Sequence, residues 1–274
     1  MDTRTIIDLV ASRLVLLEEI TAAGLSGEID TEAKPGESDI DIFVFCTEIP
    51  GREERQLVYG QFQNQSLISD LRMNVYADGY WGIGDCFCIN GVETWLMYFT
   101  TKEIRDYLGE VLTGNLLDDD NGFYPSGRCA TLMNMEVLQD KTGFIDSLRQ
   151  KIRNYPDPLR ISLSRHHLDL SLDEEDFERA VSRQDVLFYH QVLETGLDHF
   201  LQALFAVNRV YFPSRKRTLQ YIDGFKIKPK RCADRLLRAV ELGSRKEGIA
   251  ESSRIWRDLV RELIELFFEQ DPAG

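Results

Sequence analysis

Two aspartates at alternate positions, Asp39 and Asp41, open the run Asp39-Ile40-Asp41-Ile42-Phe43-Val44-Phe45-Cys46. If that run is a strand, residues i and i+2 point to one face about 6.5–7 Å apart, so the two carboxylates aim together while Ile40, Ile42 and Val44 face the other way. Carboxylates so placed can hold one or two magnesium ions, hard cations that take oxygen ligands and share them with substrate phosphates. Taken alone, the same pair is compatible with a solvated strand edge. A second candidate is the basic triplet Arg215, Lys216 and Arg217, a counter-charge for phosphates in an acidic chain. The histidines offer less: His166 and His167 follow Arg160, and His190 follows Arg183, at spacings that fit an RNA-cleaving pair only loosely.

The elements that must position these residues follow from local patterning. Residues 5 to 23 read as an amphipathic helix broken at Gly24-Leu25-Ser26-Gly27, and an acidic loop follows. The alternating β-branched and aromatic residues of 39 to 46 predict a strand, 53 to 68 a helix, and 71 to 80 a further strand. Asn90-Gly91 between Cys86-Phe87-Cys88-Ile89 and the run from Val92 to Phe99 predicts a tight hairpin, with Glu93 near the start of a long strand. From about residue 101 the period turns helical, and beyond Gly143 no strand signal survives. The longest helix is expected from Asp185 to Val207, and the chain closes on Ser253-Arg254-Ile255-Trp256 and the amphipathic residues after it. The expected class is α+β: a mixed sheet with flanking helices over residues 1–143, then an all-helical C-terminal domain over 144–274.

Bulk properties bound the function. The 274 residues suffice for two ordinary domains, and 43% hydrophobic with 28% charged residues is a globular composition without a run long enough to span a membrane. The acidic residues in the first helical stretch argue against a secretory signal, so the expected location is the cytoplasm and no membrane partner is expected. Five cysteines, odd in number and without metal-ligand spacing, read as reduced thiols. A formal net charge of −14 argues against a nucleic-acid partner, which needs a basic face, and favours a cationic small molecule or a patch of basic protein.

Context sharpens the aspartate pair. Leu25-Ser26-Gly27 precedes Ser38-Asp39-Ile40-Asp41-Ile42-Phe43-Val44 with a turn-rich connection between them. This arrangement resembles the nucleotidyltransferase superfamily that includes antibiotic adenylyltransferases. The resemblance implies a nucleotidyltransferase-fold sheet in which Ser26, Gly27 and Ser38 meet the nucleotide, Asp39 and Asp41 bind magnesium, and Glu93 is a third ligand or the general base. Two later segments resemble a subgroup with a helical C-terminal domain: Val137-Leu138-Gln139-Asp140-Lys141-Thr142-Gly143, and the stretch from Ala203 to Lys216 with Asn208-Arg209-Val210-Tyr211-Phe212-Pro213 inside it. By that resemblance Asn208, Tyr211 and Lys216 join the nucleotide-binding set. The chain departs from the pattern at Glu28, which stands where the family carries a serine.

The implied function is magnesium-dependent transfer of a nucleoside monophosphate, AMP from ATP or another triphosphate, onto a hydroxyl of a small and cationic acceptor, with Asp169, Glu175 or Asp176 as acidic contacts. Two rival readings are a degenerate fold that binds nucleotide or protein without transfer, motivated by Glu28, and a toxin-like enzyme acting on protein or tRNA.

Overall fold

The computed structural model describes residues 2–27, 39–63, 68–76, 82–118 and 123–270. The chain divides into two compact units, one of Met1–Gly109 with Arg128–Asn154, the other of Glu110–Gly127 with Tyr155–Gly274. No single cut separates them: residues 110–127 belong with the helical unit, and the first helix after Gly143 belongs with the sheet.

In chain order the elements of the first unit are α1 (Thr3–Leu14), β1 (Ile20–Ser26), β2 (Asp39–Cys46), α2 (Arg52–Gln63), β3 (Ile68–Tyr76), β4 (Ile83–Ile89), β5 (Val92–Thr100), α3 (Thr101–Thr113), α4 (Gly127–Asn134), β6 (Glu136–Asp140) and α5 (Phe144–Ile152), with α3 and α4 running across the unit boundary. One six-stranded sheet has the order β3-β4-β5-β2-β1-β6. It is mixed, because β2 runs parallel to β5 while β1 pairs antiparallel with both β2 and β6. Ile6, Ile7 and Val10 of α1 and Val58 and Tyr59 of α2 close one face over Ile40, Ile42 and Val44.

Residues 20–26 correct the expected helix of 5–23. They form β1, buried along nearly its whole length between β2 and β6. A strand covered on both faces needs no alternation of polar and apolar residues, so its signature is absent from the sequence. Small side chains here make room for a neighbour, since a Cβ on Gly24 would stand 2.4 Å from Met135 Sδ. The last strand, β6, also carried no expectation. A turn over Asp140 to Gly143 follows: the Asp140 carboxylate accepts from the Phe144 and Ile145 amides at 2.7 and 2.9 Å and so caps α5, while Gly143 takes φ +70°.

The predicted hairpin is present. Ile89 pairs with Val92, and Asn90 and Gly91 both have positive φ (51° and 79°), the conformation a two-residue turn requires.

The second unit is helical: α6 (Asp157–Leu170), α7 (Glu174–Arg183), α8 (Val186–Val207), α9 (Thr218–Gly224), α10 (Cys232–Gly243) and α11 (Ile249–Gln270). The central helix, α8, is capped by Asp185, whose side chain accepts from the Phe188 amide, and its apolar stripe carries Leu193, Phe200 and Leu204 into the core around Trp256. Among the described residues no helix is long and apolar enough to cross a membrane.

Candidate functional site

The parallel pairing of β2 with β5 sets Asp39 opposite Glu93 and Asp41 opposite Trp95, and the antiparallel pairing of β1 with β2 sets Ser26 opposite Asp41. Residues directly opposite in neighbouring strands share a face. Ser26, Asp39, Asp41, Glu93 and Trp95 therefore lie on one face at one edge of the sheet, the edge where Gly27 (φ +87°) ends β1. Asp39 is exposed and Asp41 half-buried, while Ile40 and Ile42 between and beyond them are buried in the core. Ser38 and Glu28 lie outside the described residues.

Glu93 shares a row with Asp39, but its side chain is drawn the other way. Its Oε1 accepts from the Trp95 indole at 2.7 Å, and its Oε2 lies 3.5 Å from Arg72 on β3, two strands away from β5 on the side opposite β2. Among the described residues no group of three His, Cys, Asp or Glu side chains is gathered closely enough to hold a metal. The donor chemistry nonetheless suits magnesium: two carboxylates at i and i+2 on one strand face offer oxygen ligands only. Glu93 is a half-exposed third carboxylate one strand away, held by one long ion pair and one hydrogen bond.

Residues that sequence reasoning passed over complete this face. Arg72 lies 5.7 Å above the Trp95 ring, and Tyr76 packs against the same ring at 5.5 Å. Further along, Phe43 and Phe99 stack at 5.8 Å, and the buried Arg128 guanidinium sits over both, 4.6 and 4.7 Å from their centroids. Burial lowers the Arg128 guanidinium to about 10, which leaves it charged at neutral pH. Arg128 is a fixed cation over Phe43, two residues from Asp41 on the same strand. The alternation of β2 and β5 could have shown Trp95 and Phe43 facing with the carboxylates; nothing local could have shown Arg72 or Arg128 there.

In the second unit the predicted phosphate cluster is unevenly available. Arg215 is spent: its Nη1 and Nε lie 3.0 Å from Glu194 and Asp198, and its Nη2 donates to the Glu194 carbonyl at 2.8 Å. Lys216 is exposed. Asn208 works as a clasp, its amide donating to the Leu204 and Ile227 carbonyls at 2.9 and 2.7 Å and its oxygen accepting from the Ile227 amide at 3.1 Å, so the polar atoms expected to meet a nucleotide are committed to the chain itself. Tyr211 is packed on Tyr155 with ring centroids 4.7 Å apart. Glu175 and Asp176 both pair with Arg179.

His167 is buried, its Nδ1 2.9 Å from His199 Nδ1, and His166 Nε2 stands 2.6 Å from Asp118. Burial and the neighbouring His199 and His166 hold His167 down to about 3, so it is neutral. The five cysteines are free, and burial pushes the thiols of Cys46, Cys129 and Cys232 up to about 12. They remain protonated and chemically quiet.

Residues 124–217 match a family model described as a domain of unknown function (DUF4037), a span that holds Arg128, Asn208, Tyr211 and Lys216 but neither aspartate of β2. No curated protein matches the chain. Among solved structures, the crystal structure of a nucleotidyltransferase-like protein from Exiguobacterium sibiricum is similar over 97% of this chain and 76% of that chain, with 10% identity and a TM-score of 0.46. A likeness this distant leaves the chemistry to be argued from the residues themselves.

Proposed function

We propose that the first unit is a nucleotidyltransferase domain and transfers a nucleoside monophosphate, AMP from ATP, to a hydroxyl of a small molecule. The observation that carries this reading is the register of β2 against β5 and β1, in which Asp39, Asp41 and Glu93 share one face at the edge where the Gly27 turn leaves the sheet. Asp39 and Asp41 would hold magnesium, which supplies charge neutralisation at the phosphates when bound. Glu93 would take the proton of the acceptor hydroxyl as its oxygen bonds to the α-phosphorus and the bond to the β-phosphate oxygen breaks, releasing pyrophosphate. That role needs Glu93 to swing off Arg72, a contact weak enough to yield because it is long and half-exposed. Lys216 is the cation the family resemblance assigns to the phosphates.

Calorimetry with ATP, with and without magnesium, tests the reading together with labelled-nucleotide transfer to a panel of hydroxylated acceptors. Magnesium-dependent ATP binding is expected, and Asp39→Asn or Asp41→Asn should remove it without moving the thermal midpoint. ATP affinity untouched by both substitutions would place the metal elsewhere or deny it. A second reading, nucleotide binding without transfer, draws on Glu93 being engaged by Trp95 and Arg72 and on Glu28; magnesium-dependent binding with no acceptor labelled in any assay selects it.

A further inference from the structure

Arg254, Arg257 and Arg261 follow one another at spacings of three and four residues, so they fall on one stripe of α11. That stripe walls a groove of about 420 Å³ inside the second unit, with Val181 and Ser182 of α7 on its other side. The guanidiniums are partnered only at their edges. Arg257 Nη1 lies 2.8 Å from Glu174, whereas Arg254 and Arg261 lie 3.6 and 3.5 Å from the two oxygens of Asp258, longer than a good hydrogen bond, and each is 68% exposed. Five N–H donors per guanidinium leave most of this capacity unspent. Arg257 Nε is buried without a hydrogen-bond partner, and the Ser253 side chain also lines the groove. The donors open to an acceptor arriving in the groove are those of Arg254 and Arg261.

We propose that this groove binds the phosphate of a phosphorylated small molecule. A phosphate monoester offers three charged acceptor oxygens to three guanidinium forks, a better match than a carboxylate, which one fork already satisfies. Val181 and Ala250 give an apolar floor for the organic part, and the volume suits a ligand of that size. A polynucleotide is a poor fit, because tracking its backbone needs an extended basic face and the whole chain carries a formal charge of −14. The site belongs to the second unit alone and is independent of the carboxylate row on β2.

The test uses the full chain in EDTA, which silences any divalent-dependent site, with glucose 6-phosphate, inorganic phosphate and a short single-stranded oligonucleotide titrated by calorimetry. Saturable binding of glucose 6-phosphate is expected, tighter than that of inorganic phosphate. The double substitution Arg254→Gln with Arg261→Gln should weaken it by roughly tenfold or more, the scale of one charge-assisted contact. Both side chains are largely exposed, so the melting midpoint should hold; Ser253→Ala, which changes no charge, should weaken binding by a smaller factor, and Asp39→Asn should leave it unchanged. The proposal is overturned by no saturable binding, by equal affinity for glucose 6-phosphate and inorganic phosphate, by an unaffected double variant, by loss of binding in Asp39→Asn, or by tighter binding of the oligonucleotide.

Discussion

The sheet of the first unit carries carboxylates on both faces and treats them in opposite ways. Toward α2, Asp85 is 0% exposed and enclosed by donors: Arg55 Nε at 2.8 Å, the Tyr59 hydroxyl at 2.8 Å and the Asn74 amide at 2.9 Å. Tyr59 also shares a 2.6 Å hydrogen bond with Tyr98, and burial pushes both phenols up so that they stay protonated. On the other face Asp39 is exposed, and Glu93 keeps one indole donor and one distant arginine. An enclosed carboxylate is locked into one geometry and serves stability, whereas one at an open edge keeps its lone pairs for a ligand that arrives. The first pattern fastens α2 to β3 and β4; the second leaves its carboxylate oxygens open to solvent or to a ligand.

The largest expected effect breaks the closed cluster. Asp85→Ala leaves Arg55, itself 2% exposed, buried with its charge uncompensated, and such a break costs about 3–5 kcal/mol. Urea unfolding should show it as a large fall in midpoint at unchanged slope. Asp39→Asn should leave that midpoint in place. Equal loss in the two variants would erase the distinction between a structural and a functional face.

How legible each face was follows from how local its determinants are. The β2 run announces itself, because alternating aspartates, β-branched residues and aromatics in eight residues encode both a strand and its open edge. The turn at Asn90-Gly91 and the Asp185 cap of α8 are equally local. Arg55, Asp85, Tyr59 and Tyr98 meet across 26 to 39 residues of chain, and no spacing in the sequence marks them as partners. The strand β1 was illegible for another reason: Ile20 to Leu25 continues the apolar periodicity of the preceding helix, and burial on both faces removed the alternation that would have marked the change. For the candidate site, the two aspartates were readable as a pair, while Glu93 came only through a family resemblance. Its attachment to Arg72 depends on the register of β3, β4 and β5, which no single segment contains.

A closed polar group in the second unit extends the comparison to pH. His167 sits near 3 in the folded chain against about 6.5 when unfolded, with His199, His166 and Asp118 as its titratable neighbours. Between those values the unfolded chain binds a proton that the folded chain refuses. The contribution is therefore complete above about pH 6.5 and is lost as pH falls toward 3. Urea midpoints measured over this window should decline for the wild type and decline less for His167→Gln; parallel curves would mean that His167 is hydrated and titrates normally.

The Arg215 and Lys216 neighbours repeat the contrast side by side, one closed onto Glu194 and Asp198, the other exposed. Lys216→Ala is expected to weaken nucleotide binding by roughly 1–3 kcal/mol, the range of a charge-assisted contact to phosphate, with no change in thermal midpoint. Calorimetric affinity identical to wild type would return Lys216 to the solvated surface and leave Arg128, fixed over Phe43 two residues along β2 from Asp41, as the candidate phosphate cation.

The smallest effect concerns Glu93, which stands between the two extremes. Arg72 Nη2 lies 3.5 Å from its Oε2 and donates to Cys86 Sγ at 3.2 Å, and both side chains of the ion pair are about half exposed. Water and salt screen such a pair, so Arg72→Gln should not move the melt. Its consequence is geometric. With the guanidinium gone, Glu93 keeps only the Trp95 indole on the same strand and is free to turn toward Asp39 on the neighbouring one, which should raise magnesium affinity by a small factor. Unchanged magnesium affinity would show that Arg72 does not restrain Glu93. A fall would mean that the Arg72 guanidinium itself supports binding at the open face.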